Sequence, residues 1–311
     1  MINKKLLKAI RWLSLAMIFQ TGFWLLGSYR VYKKIMSKQS DKSKILDKTT
    51  TDRSIDKRIA NRDFFDIVQY RDVYVKSRDD LTLHGRYVEN GSEDTAIVIH
   101  GYNSNSYRKG PIAKIFHDRG YNVLCPDLRA HGQSQGEMIG MGWPDHYDLL
   151  EWIALVNAIK PQGKIILYGV SMGGAAVLNA TGEKLPANVK VAIADCAFTS
   201  PWDLYKFQFK EIYNTPPRPL LDFVNLFNKL ENKNDFKIGP ADMVKKSNTP
   251  TLFIHGVDDP FIPADMSKKL YESSAGAKGL LMVENGQHGR SYLADPKLYF
   301  ESIFDFIDLH I

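Results

Sequence analysis

Lys164-Ile165-Ile166-Leu167-Tyr168 is a short apolar run that leads into Gly169-Val170-Ser171-Met172-Gly173, and Gly174-Ala175-Ala176-Val177-Leu178 follows. The first five residues read as a buried strand and the last five as the start of a helix. A serine at that junction sits in a tight, strained turn with its hydroxyl raised above the sheet. The glycines two residues to either side are needed because side chains there would collide across the turn. The helix that follows aims its free N–H groups and positive dipole end at the space beside Ser171, where an oxyanion could form.

The alternation of strand and helix extends outward from this turn. Val73–Lys76 and Leu81–Val88 read as a hairpin around Arg78-Asp79-Asp80, and Thr95–Ile99 as a buried strand ending in His100-Gly101. Further strands are expected at Asn122–Pro126, Val189–Asp195, Thr251–His255 and Gly279–Val283. Helices are expected at Gly110–Arg119, Pro144–Ile159, near Ala264–Tyr271 and from Asp295 onward. Such alternation predicts an α/β fold with a mostly parallel sheet covered by helices on both faces. Between Phe198 and Asn248 the rhythm breaks into an aromatic stretch with prolines at 216, 217 and 219. An insertion after a strand's C-terminal end is placed to roof the crevice where such sheets bind ligands, so a small helical lid is expected over 198–248. Phe198, Trp202 and Tyr205 are its expected substrate contacts.

A serine hydroxyl is a weak nucleophile until a base takes its proton, and the base needs a carboxylate to fix its tautomer. Both partners should lie at the C-terminal ends of later strands. Thr251–His255 opens into Gly256-Val257-Asp258-Asp259-Pro260, and Gly279–Val283 opens into Glu284-Asn285-Gly286-Gln287-His288-Gly289. His288 is the expected base, since it follows the last strand in a Gly-flanked loop. For the acid, Asp258, Asp259 and Asp195 all stand at strand ends, and position alone leaves the choice among them open. The oxyanion donors are expected from the backbone N–H groups of Met172 and Tyr102. His84, His117 and His146 have no neighbours at ligand spacing, so no metal is expected, and no cofactor motif is present.

The chain has 311 residues and a formal charge of +6, but the charge is unevenly placed. Residues 1–62 hold 15 Lys and Arg against 4 Asp and Glu, whereas residues 63–311 hold 26 against 31. A nucleic-acid footprint would need a basic face on the folded body, so that class of partner is excluded. Trp12 to Ser28 is an uncharged run of 17 residues flanked by Lys and Arg. As a helix it is about 25 Å long, slightly short of a bilayer core. It predicts a retained membrane anchor over 1–36, with a polar tether over 37–62 and the catalytic body over 63–311. A cleaved signal peptide is the competing reading, and Leu25-Leu26-Gly27-Ser28-Tyr29 suits its cleavage site poorly. The charges flanking the run nearly tie and leave its orientation open. Cys125 and Cys196 both read as strand-end core residues.

These residues together resemble an α/β-hydrolase-fold serine hydrolase. The resemblance rests on His100-Gly101-Tyr102, on Pro126-Asp127-Leu128-Arg129-Ala130-His131-Gly132-Gln133-Ser134, on Gly169–Gly173, on His255–Pro263 and on His288. It covers about residues 70–311. It implies that the acid is Asp259, giving a triad of Ser171, Asp259 and His288, and that the loop around His131 is structural. It also implies a glycine where Ala130 stands, a departure tolerable only if the backbone there is not left-handed. Gly140-Met141-Gly142-Trp143-Pro144-Asp145, with the N-terminal segment, is similar to bacterial cell-surface hydrolases of the esterase and dipeptidyl-peptidase-like branches. That similarity implies a membrane-held enzyme whose body lies outside the cytoplasm. The expected substrate is a carboxylic ester with a small to mid-sized apolar acyl group. A peptidase or amidase, and a non-catalytic binding protein on the same fold, are the alternatives.

Overall fold

The computed structural model describes residues 4–38 and 64–311. Its centre is an eight-stranded sheet: β1 Arg71–Lys76, β2 Thr82–Val88, β3 Thr95–Ile99, β4 Asn122–Pro126, β5 Ile165–Val170, β6 Val189–Asp195, β7 Thr251–Gly256 and β8 Lys278–Val283. The order is β1-β2-β4-β3-β5-β6-β7-β8. β1 and β2 are antiparallel, β2 meets β4 antiparallel, and every other pairing is parallel. The central strands β3, β4, β5 and β7 are buried along their whole length. Strands covered on both faces need continuous apolar runs, which is the pattern read in Thr95–Ile99 and Ile165–Tyr168. Helices cover both faces, dividing the apolar interior into one core that holds Trp152, Leu167 and Val177 and another that holds Phe116, Tyr168 and Ile303.

β5 runs two residues further than predicted and carries Gly169 and Val170 into the sheet, where Gly169 lies opposite Ile99 of β3 and Ala194 of β6. Ser171 therefore emerges at the C-terminal edge of the parallel strands, the edge to which β7 and β8 also deliver their loops. Helices Pro201–Phe207, Leu220–Glu231 and Pro240–Met243, together with one π-turn over Gln208–Ile212, lie between β6 and β7. No strand lies between Phe198 and Asn248, as the sequence suggests.

The N-terminal segment differs from its prediction. A single helix, Lys4–Met36, runs through the uncharged stretch, yet no helix among the described residues is long and apolar enough to cross a membrane. Ser14, Gln20 and Thr21 dilute an uncharged stretch that Arg11 and Arg30 close at 18 residues. The membrane span expected over 1–36 is therefore not supported. Its last turns belong to the body instead. Tyr32 and Met36 are fully buried in the same core as Trp152, and burial of the Met36 side chain contributes about 1.5–3 kcal/mol. Ile139 N–H donates to the Met36 carbonyl at 2.7 Å, and Lys38 N–H donates to Glu137 O at 2.8 Å. Tyr29 and Tyr32 pack against Phe227 of the helix Leu220–Glu231. Of the expected tether at 37–62, all but Ser37 and Lys38 lies outside the described residues.

Candidate active site

Ser171 holds φ 57° and ψ −118°, a conformation that costs an L-residue free energy and persists only where its surroundings enforce it. The enforcement is close packing at the flanking glycines. A Cβ on Gly169 would lie 2.3 Å from the Gly173 carbonyl oxygen, and one on Gly173 would lie 2.5 Å from that of His100. Ser171 N–H donates to Asp195 O at 2.8 Å, which ties the turn to β6.

His288 arrives on the loop after β8. Its Nε2 lies 3.0 Å from Ser171 Oγ, and its Nδ1 lies 2.7 Å from Asp259 Oδ2. Asp259 sits in the loop after β7 and is itself held in place, with Oδ1 accepting from Phe261 N–H at 2.8 Å and Ile262 N–H at 2.9 Å. Burial would raise its pKa, but the facing charge of His288 and the hydrogen bonds from His255 and His288 overcome that. The carboxylate therefore stays ionised well below the usual carboxylate range. With Asp259 ionised, Nδ1 carries the proton and Nε2 is free to accept from the serine.

The other two acids go elsewhere. Asp258 is exposed in the turn. Asp195 accepts from the Tyr299 hydroxyl at 2.8 Å, and Tyr299 in turn meets Tyr168 at 2.7 Å. It is therefore bonded to the C-terminal helix and not to the imidazole.

The expected oxyanion donors flank the serine. Met172 opens the helix Met172–Thr181, so its N–H lies in the first turn, where a helix offers no acceptor. A Cβ on Gly101 would lie 3.2 Å from Ser171 Cβ and 3.7 Å from Oγ, so the backbone entering Tyr102 passes directly beside the Ser171 hydroxyl. Two imidazoles hold this loop. His100 Nε2 accepts from Leu128 N–H at 3.0 Å, while Nδ1 donates to Gly101 O. Burial, aided by the neighbouring His131, pushes the His100 pKa down to about 3, which keeps the acceptor nitrogen bare. His131 Nε2 accepts from Asn103 N–H at 3.2 Å, the structural part implied for that loop. Ala130 has φ 60°, so the departure from glycine falls on a left-handed residue after all.

A cavity of about 180 Å³ opens over Ser171. Phe198 and Tyr205 line it, along with Leu204, Phe209, Tyr213 and Phe261. Trp202 does not belong to the lining: its half-buried ring packs against the core and faces Lys237 Nζ at 4.7 Å and Arg218 at 5.7 Å. Three lining residues missed by sequence reasoning, Val31, Lys34 and Ile35, come from the N-terminal helix. The signal was available in the apolar spacing Val31, Tyr32, Ile35, Met36, which continues past the uncharged run and faces away from Arg30 and Lys33.

Among the described residues, the grouping able to offer three metal donors is Cys196, Asp259 and His288, within 4.8 Å of one another. Asp259 and His288 are already joined, and burial raises the Cys196 thiol well above its usual range. This set suits a hydrogen-bonded relay better than a cation.

This geometry agrees with what known proteins resemble the chain. The family model described as serine aminopeptidase, S33, matches residues 92–234. The uncharacterised protein YqkD of Bacillus subtilis is 32% identical over 217 residues, covering 69% of this chain and 71% of that protein. The chain belongs to the α/β-hydrolase family. Among solved structures of that fold, the Pyrococcus furiosus esterase Pf2001 aligns with TM-score 0.65 and 23% identity, covering 81% of this chain and 95% of the esterase. Est1E of Butyrivibrio proteoclasticus, solved with ferulic acid bound, aligns with TM-score 0.61 and 18% identity over 76% of this α/β-hydrolase and 98% of Est1E.

Proposed function

We propose that this α/β-hydrolase is a serine esterase that works through an acyl-enzyme. Ser171 Oγ attacks the ester carbonyl as His288 Nε2 takes its proton, and Asp259 holds the resulting imidazolium. The Met172 and Tyr102 N–H groups receive the developing oxyanion, and each such donor is worth about 10²–10³ in turnover. His288 then gives its proton to the departing alcohol oxygen. In the second half a water attacks the acyl-enzyme, giving a proton to His288, which returns it to Ser171 as the acid leaves. The observation that carries this reading is the imidazole of His288 bridging Ser171 Oγ at 3.0 Å and Asp259 Oδ2 at 2.7 Å.

The cavity supports an apolar acyl group. Apart from Lys34, Gln208 and the serine, its lining is aliphatic, thioether or aromatic. Cavities of about 150 Å³ accept benzene, so one of 180 Å³ suits an acyl group of roughly six to eight carbons. The family description favours an amide or peptide bond as the second reading. The lining includes no Asp or Glu to receive a peptide's free amine, which favours the ester.

A fluorophosphonate probe is expected to label the wild type and not Ser171→Ala. Rates across p-nitrophenyl esters and an aminoacyl p-nitroanilide should then favour the esters. Failure of the wild type to label would transfer the case to a binding protein on this fold.

A further inference from the structure

The end of the N-terminal helix is built into the reaction site at two levels. Val31 and Ile35 form part of the cavity wall together with the lid aromatics. The Ile35 carbonyl also accepts a hydrogen bond from the Tyr102 hydroxyl at 2.6 Å. Ile35 lies in the last turn of the helix, where carbonyls have no intrahelical partner, so the phenol satisfies a group that is otherwise orphaned. The same Tyr102 follows Gly101, whose backbone passes Ser171. One short chain of contacts therefore runs from the helix end, through a tyrosine ring, to a backbone N–H beside the nucleophile.

The helix end is anchored well enough to act as a reference point. Beyond the backbone bonds to Glu137 and Ile139, Lys38 Nζ donates to Ser134 O at 3.0 Å, and Tyr205 of the lid points its hydroxyl at Met36 Sδ at 3.8 Å. The helix thus contacts the 128–139 loop, the oxyanion loop and the lid together. From this we infer that the last turns of the N-terminal helix are a specificity and positioning element of the active site. Ile35, with Val31, sets the length of the acyl chain, and the Ile35 carbonyl, through Tyr102, holds the oxyanion donor in place.

The inference rests on the esterase reading, and the test separates the two. Rates are measured on p-nitrophenyl esters of increasing acyl length for the wild type, Ile35→Ala, Ile35→Phe and Tyr102→Phe, each first checked for fluorophosphonate labelling and a cooperative melt. Ile35→Ala removes three carbon atoms from the wall and should move the optimum to acyl chains about three carbons longer, since a methylene that gains or loses its place changes kcat/KM by about 10–200-fold. Ile35→Phe should move it the opposite way. Opposed shifts are something a merely structural role does not produce. Tyr102→Phe keeps the ring and the backbone N–H but removes the bond to the helix end, and should lower kcat about tenfold at every chain length with KM changed less than about twofold. If labelled, folded variants keep the wild-type chain-length profile and Tyr102→Phe keeps its kcat within about twofold, the inference is overturned and the esterase reading stands. A wild type that neither labels nor hydrolyses any ester overturns both.

Discussion

Asp259→Asn isolates the one group whose role the chain order alone left undecided. In the wild type the two Asp259 oxygens have separate tasks. Oδ1 accepts two backbone N–H groups, from Phe261 and Ile262, and Oδ2 faces His288 Nδ1 at 2.7 Å. An asparagine keeps its oxygen toward the two backbone donors, because turning the amide around would set N–H against N–H twice. Its amide nitrogen is then left facing Nδ1. A donor there obliges Nδ1 to accept, which moves the ring proton to Nε2, the nitrogen 3.0 Å from Ser171 Oγ. A protonated Nε2 cannot take the serine proton. The same tautomer error in the template serine protease triad costs about 10⁴ in kcat, and at 1.36 kcal/mol per decade that is about 5.5 kcal/mol of transition-state stabilisation. KM should move little, since nothing in the cavity wall changes.

The assay is steady-state hydrolysis of a short p-nitrophenyl ester near neutral pH, with Asp258→Asn as the matched control. The control should stay within about twofold of wild type, because Asp258 is exposed in the turn and far from the ring in role if not in sequence. A folded Asp259→Asn that retains a tenth or more of wild-type kcat would refute the reasoning. So would an Asp258→Asn enzyme that loses as much as its neighbour.

Gly101→Ala places a methyl 3.1 Å from Val170 O and 3.2 Å from Ser171 Cβ, so the oxyanion loop must retreat by a few tenths of an ångström. The expected result is a loss of about tenfold or more in kcat with KM nearly constant, and kcat within twofold of wild type would count against the placement of Tyr102. Asp145 is fully buried, and burial raises its pKa to about 7. Between the unfolded value near 4 and this one, the native state holds a proton the unfolded chain has released, so stability present below about pH 4 is lost as pH rises toward 7. Asp145→Asn should remove that slope, gaining on the order of 3 kcal/mol relative to wild type between about pH 4.5 and pH 7.5 in urea melts. Equal slopes for the two proteins would refute the assignment. Ala130→Gly relieves a left-handed alanine worth about 1–2 kcal/mol but gives up a buried methyl worth about 0.8 and adds about 0.5–1 of chain entropy, so its stability in the same melts should lie within about 1 kcal/mol of wild type.

What could be read in the chain and what could not divides along a physical line. The turn at Ser171 was legible because its geometry excludes almost every residue but glycine at 169 and 173, and an exclusion that strict leaves a mark in sequence. The strands were legible because a sheet covered on both faces needs unbroken apolar runs. Asp259 and His288 were legible as strand-end residues, although separating Asp259 from Asp258 and Asp195 required the resemblance to the family. Trp202 was misplaced because an aromatic residue in a lid can pack on the core without lining the cavity, and its sequence position does not say that it meets Arg218 and Lys237 there. The N-terminal helix was misread for a related reason. Composition weighs every residue of an uncharged run alike, whereas the fully buried apolar side chains come after it, at Tyr32 and Met36.

That last misreading bears on how the oxyanion loop is supported. From one side, Asp127 accepts Ser106 N–H at 2.7 Å while His100 and His131 fix residues 101 and 103. Burial would raise the Asp127 pKa, but the bonds from His84 and from the Ser106 and Gln133 backbone hold it well below the usual range, so this support stays charged. These contacts all lie within the catalytic body. From the other side, the support is the hydroxyl of Tyr102 on the Ile35 carbonyl, and its partner begins more than 60 residues earlier in the chain. The Tyr102 ring itself lies edge-on to His131 of the body at 6.4 Å between centroids. The helix end adds a second hold through the hydroxyl and shares the cavity wall with the ring. The strained Ala130 fits the same economy of space: its methyl is buried in the core shared by Tyr32, Met36 and Ile139, so the left-handed backbone is tolerated where the side chain is needed for packing.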